Sequence, residues 1–282
     1  MMLAASIGAY GQTTTITLQE RHLKVRLADC CEPRAEFEIG DIGALKRRPP
    51  INRDSGRAIS TDRNDPISVT NASSGYPEIA PGSYVIISAP INRFANGWGR
   101  TTQIEGVSVE IGGQLAAIFQ IWKDGLSCIV PDTLPIGHTL NVIVHTPEGR
   151  YHGKVSVLDV APGVSRGSRN GAFQWWPTGL YRVGSGFPQP ISDQAIRPSK
   201  GASKTIVKVL ATGFRRAISA KVWIDNQTVP LVSVTPFFLP GQEEIAFELP
   251  EQLQGEERLV RVWIIADDLP ANPFWLKLAK SQ

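Results

Sequence analysis

Histidines, cysteines and adjacent carboxylates are the side chains of this chain that could ligate a metal, attack a substrate or move protons. His145 and His152 flank the turn Thr146-Pro-Glu-Gly149 and could approach each other across a hairpin. Two imidazoles fall short of a zinc site, and hairpin register decides whether they meet at all, so surface histidines are the expectation. Asp267-Asp268 and Glu243-Glu244 sit beside Pro or Gly and read as solvated turns, where short acidic side chains bond the backbone. Three cysteines allow one bridge: Cys128 with Cys30 or Cys31 would staple the N-terminal segment to the first domain, the rivals being a vicinal bridge or three free thiols. No phosphate-binding glycine loop or HExxH pair occurs. No catalytic, cofactor-binding or metal-ligating residue is therefore expected.

The seven tryptophans carry more information. Trp223 and Trp263 lie in alternating runs and read as core. Trp175-Trp176 falls in a Gly/Pro-rich passage, where adjacent side chains of an extended segment cannot both point inward. Packing between two modules is the favoured reading for this pair. An exposed indole there, or at Trp98, would instead anchor a protein contact or stack on a sugar.

Short strands must position these residues. The chain has 282 residues, with Gly 26 and Pro 21, counts that long helices exclude and turn-rich β structure consumes. Hydrophobic residues make up 42% and charged ones 20%, and 29 bases against 26 acids leave a net charge of +3. That balance argues against a nucleic-acid partner. Residues 1–11 are small and apolar, with Ala9 and Gly11 spaced as before a signal-peptidase cut, and read as the remnant of an export signal, the alternative being an N-terminal strand. Residues 12–45 form a β-rich extension in which Leu23, Val25 and Leu27 alternate with Lys24 and Arg26, and Ala35 to Ile39 is a second candidate strand. Residues 46–65, rich in Arg, Pro, Ser and Asp, read as a basic flexible linker.

From Ile67 onward, runs such as Tyr84-Val-Ile-Ile-Ser88 and Leu140-Asn-Val-Ile-Val144 are divided by hairpin punctuation, including Gly112-Gly113. The pattern then repeats: Val109-Glu-Ile-Gly-Gly-Gln114 is answered by Val222-Trp-Ile-Asp-Asn-Gln227, and Ile129-Val-Pro131 by Glu248-Leu-Pro250. A repeat this long is a duplicated domain. The predicted fold class is all-β, with two tandem immunoglobulin-like β-sandwiches at 66–162 and 163–282.

Val69-Thr-Asn-Ala-Ser73, Ile79-Ala-Pro-Gly-Ser83 and Gly106-Val-Ser-Val-Glu-Ile-Gly-Gly113 open a series that continues with Ala161-Pro-Gly163, Leu210-Ala-Thr-Gly-Phe-Arg215 and Pro240-Gly-Gln-Glu-Glu-Ile245. In order and spacing the series resembles the uncharacterised C-terminal domain family of acidobacterial exported proteins, over residues of about 66–280. The resemblance implies paired immunoglobulin-like modules outside the cytoplasm and brings no catalytic residues with it. The sequence departs from that family where Gln242-Glu-Glu-Ile245 replaces an Asp-Gln-Val-Asn-like run.

The functional expectation is a non-enzymatic extracytoplasmic protein, periplasmic, surface-bound or secreted, with a protein partner. It would serve adhesion or scaffolding, or act as an accessory subunit of a membrane-associated complex. The alternative is a carbohydrate-binding module pair using Trp175, Trp176 or Trp98.

Overall fold

The computed structural model describes residues 67–282 apart from 170, 171, 193, 198–203, 226, 251, 252, 254–256 and 280–282, together with four N-terminal strands. The N-terminal strands and residues 168, 169 and 172–175 are described as backbone alone. The chain divides into two units, Met1–Ile51 and Asn52–Gln282. Within the first, Leu3–Ala9, Gln12–Gln19, His22–Leu27 and Phe37–Ile39 form an antiparallel meander. The apolar run read as an export signal is its edge strand, and the Thr13 to Leu27 segment is two strands, paired so that Gln19 faces His22. Cys30, Cys31 and the expected linker at 46–65 lie outside the described residues.

The second unit holds two β-sandwiches. In the first, one sheet runs Ser68–Asn71, Tyr84–Ser88, Gly125–Ile129, Ala117–Trp122, Ala95–Thr101. It faces a sheet ordered Gln114–Leu115, Val107–Ile111, His138–Thr146, Gly149–Val157, Glu78–Ile79. The last pairing is parallel. This is the ABED sheet of an immunoglobulin-like domain against its C′CFG sheet, with Ala95–Thr101 added at an edge of the first and Glu78–Ile79 at an edge of the second. Alternation builds the core: Val107, Val109 and Ile111 point in, as do Tyr151, Val155 and Val157, while their neighbours face out.

The second sandwich repeats the plan. Thr205–Thr212, Glu243–Leu249 and Leu231–Pro236 lie side by side in one sheet. Gln227–Val229, Ala220–Ile224, Arg258–Ala266 and Phe274–Leu278 form the other, and a parallel bridge joins Ile196 to Leu278. The repeated hairpins share one register, Ile111 facing Gln114 as Ile224 faces Gln227. Gly112 and Gly113 both have positive φ, as a two-residue turn of this hand requires, and Asp225 takes the same conformation in the second copy. Val160 already belongs to the second core.

The first strand of the second sandwich is interrupted. Gly163–Val164 pairs with the end of Thr205–Thr212, and Gly179–Val183 resumes along the same strand. Between them the chain leaves as a hairpin, Arg166–Arg169 with Ala172–Pro177. Its base is closed where Thr178 N donates to Ser165 O at 2.7 Å and both ends bond Leu210.

Candidate functional site: the seam between the sandwiches

The two sandwiches meet through buried polar contacts. Asn71 is wholly buried, donates through Nδ2 to Ala161 O at 2.7 Å, and accepts the amides of Ser73 and Ser74 on Oδ1. Gly163 must be glycine, because a Cβ would lie 2.5 Å from that same Oδ1. On the other flank, Nη1 of Arg215 lies 2.9 and 3.2 Å from the two carboxylate oxygens of Asp132, and Arg216 donates to the Asp132 carbonyl at 2.6 Å. A sequence match to the glycosylation sequon at Asn71 has no meaning for a side chain so enclosed.

Beside this seam the added edge strand Ala95–Thr101 is distorted. Asn96 pairs with Gln120 and Thr101 with Ile118, so four residues of the edge strand span what Phe119 spans alone. The surplus bulges outward, with Trp98 and Gly99 both in left-handed conformation at φ 55 and 68. A non-glycine residue there is strained by roughly 1 kcal/mol or more, and bulges of this kind re-aim side chains. Here the result is an indole that is 58% exposed. Phe119 meets Trp98 edge-on at 5.8 Å, and Tyr84 meets Phe119 likewise at 5.3 Å. Tyr84 is fixed in turn by donating its hydroxyl to Ser127 at 2.9 Å. A Cβ on Gly99 would lie 3.3 Å from the Pro240 ring of the second sandwich. Next to Pro240, the rings of Phe237 and Phe238 meet tilted at 4.4 Å, and Phe238 is 80% exposed.

Beside Phe237 and Pro240 opens a cleft of about 360 Å³, within the size range of ligand sites. Its walls include Val234, Phe237 and Pro240, and its polar groups are Arg215, Gln242 and Glu243. Glu243 is 5% exposed. Burial pushes its carboxyl up to about 7, against the opposing pull of the Phe214 and Gly213 amides and of Arg215. Gln242 Oε1 is buried without a hydrogen-bond partner among the described residues, which costs roughly 1–3 kcal/mol.

No family model and no curated protein matches the chain. Among solved structures, it is similar to SGBP-B of the Bacteroides ovatus mixed-linkage glucan utilization locus, in complex with a mixed-linkage heptasaccharide. The identity is 12% and the TM-score 0.32, over 98% of this chain and 64% of that one. A marsupial T cell receptor is 9% identical at a TM-score of 0.24, over 76% of this chain and 99% of the receptor. A titin segment, A168–169, is 8% identical at 0.22, over 80% of this chain and all of the segment. Likenesses this distant carry no functional argument.

Trp98 is thus the sequence candidate that the fold places at the seam. Trp176 is half-buried against the second core, and the Trp175 side chain lies outside the described residues. Trp223 and Trp263 are not core. Val222 and Ile224 take the inward positions, so Trp223 and its cross-strand partner Trp263 face outward, Trp223 38% exposed. Arg261 caps that outer face, its guanidinium carbon 4.5 Å from the Trp263 ring centroid.

Cys128 is a free thiol sealed in the first core. His145 lies opposite Arg150, not His152, and bonds Glu110 at 3.1 Å. Among the described residues no three His, Cys, Asp or Glu side chains gather to hold a metal. Asp267 and Asp268 do occupy a turn, where Asp267 accepts from Ile218 and Ser219.

Glu243-Glu244 corrects the turn reading. The pair begins the strand Glu243–Leu249, where alternation sends Glu243 inward with Ile245 and Phe247 and leaves Glu244 to pair with Lys208 at 2.6 Å. Glu243, Gln242 and Phe238 are the site residues that sequence reasoning misses. The one available signal is the period-two alternation that runs on through the glutamates.

Proposed function

We propose that this chain is a non-enzymatic, extracytoplasmic interaction protein that holds its ligand or partner at the seam of its two sandwiches. The carrying observation is the Trp98 bulge: a strained backbone presents a braced, exposed indole, and the adjoining Gly99 sits against Pro240 in the cleft wall. Strain of this sort collects where function needs it. The buried polar contacts at Asn71 and Thr212 supply a stiff mount, so binding would not have to order two loosely tethered domains. Extracytoplasmic placement rests on the resemblance of residues 66–280 to an exported family. Among the described residues no helix is long and apolar enough to cross a membrane.

Photo-crosslinkers at Phe238 and, as control, at Leu115, exposed on the first sandwich, test this reading in cell-envelope extracts. Adducts at Phe238 that disappear in the Trp98→Ala background support the seam. Equal labelling at Leu115, or adducts indifferent to Trp98, removes it.

A further inference from the structure

Resting on the seam as the binding surface, we infer that its ligand is a neutral oligosaccharide, laid across the Trp98 indole with one sugar unit reaching into the cleft beside Gln242 and Glu243.

Charge selects the class. Arg215 is offset by Asp132, and Glu243 is enclosed by backbone amides and apolar walls. A phosphate or an acidic peptide would find no unspent positive charge in the cleft, and a cation no free carboxylate in ready contact with solvent. Uncharged groups that both donate and accept hydrogen bonds are what remain, and hydroxyls are of that kind. Gln242, half-buried in the cleft wall, brings an amide, a group that both donates and accepts hydrogen bonds.

Shape selects further. Phe119 and Trp98 meet in a T-shaped and not a stacked pair, and more than half of Trp98 stays open. The electron-rich face of an aromatic ring attracts C–H groups of slight positive charge, and a pyranose offers a flat set of them on a ring rimmed with hydroxyls. One platform and one small cleft together fit a chain of linked sugars better than a single compact metabolite. The apolar walls at Val234, Phe237 and Pro240 take the other face of the enclosed unit.

The test uses the full chain against an array of neutral glucans, xylans, mannans and galactans, with polygalacturonate as the charged control, followed by calorimetry and tryptophan fluorescence on the hits. At least one neutral oligosaccharide should bind, with changed indole emission and affinity insensitive to salt. Trp98→Ala should weaken it by about tenfold or more at unchanged melting temperature. Gln242→Ala should weaken it too, whereas Trp98→Phe should retain part of the affinity. Preference for polygalacturonate, or no neutral glycan bound at millimolar concentration while Phe238 still cross-links to a protein, overturns the ligand class and leaves the seam standing. Glycan binding that ignores both Trp98 and Gln242 overturns both.

Discussion

The amide of Tyr84 in the first sandwich donates to the hydroxyl of Thr212 in the second across 2.7 Å. Thr212 in turn donates its own proton to the carbonyl of Gly241, at the rim of the cleft. One buried hydroxyl thus ties together a core strand of one module, a core strand of the other and the loop that carries Phe237 and Phe238.

Thr212→Val keeps the shape and deletes the relay. It should destabilise the junction by roughly 1–3 kcal/mol, since it strands a buried donor and a buried acceptor. Thr212→Ser should lose much less. Urea unfolding of both variants measures the difference, and equal losses would show that packing, not the relay, matters at this position.

Gly213 has φ +82, and a Cβ on it would lie 2.0 Å from the carbonyl of Ala161. Gly213→Val should therefore cost about 3 kcal/mol or more, strain and collision together. Gly113 has φ +80 with nothing within 4 Å, so Gly113→Ala should cost only about 1 kcal/mol. Comparable melting temperatures for the two would refute the steric argument.

Glu243 ties stability to pH. Its folded value of about 7 stands above the ordinary 4.5, so the unfolded chain gives up this proton first. The stabilisation is complete below about 4.5 and is lost as pH rises through about 7, by up to roughly 3 kcal/mol. Glu243→Gln should flatten the melting temperature over that window. An identical slope in the variant would assign the pH dependence elsewhere.

The Cys128 thiol is pushed up to about 12 by burial, which suppresses the reactive thiolate. In a Cys30→Ser, Cys31→Ser background it should remain silent to Ellman's reagent until the first sandwich unfolds. Rapid titration of the native protein would mean that its core opens locally.

The sandwiches are legible in the sequence because alternation and turn chemistry are local. Gly112-Gly113 announces its hairpin, and Val109 to Gln114 announces its copy at Val222 to Gln227. Alternation alone does not say which phase faces the core, so it admits Trp223 and Trp263 as inward residues although the smaller Val222, Ile224 and Val262 hold those places. The seam is illegible for a different reason. Trp98 meets Phe119 only through a bulge, and Gly99 meets Pro240 only through the docking of two modules. No short-range pattern encodes either.

The hairpin at 166–177 leaves and re-enters its strand at two residues, Ser165 and Thr178, that are hydrogen-bonded to each other. Such a gap is a ready-made splice point: a segment of any length whose ends lie close together could replace the present one without disturbing the pairing on either side. Trp176, packed on the second core, and Arg166, which donates to the Pro273 carbonyl at 3.1 Å, are anchors a graft would have to reproduce or fill. In that sense the hairpin is cassette-like, separable from the strand pairing of the sandwich that carries it.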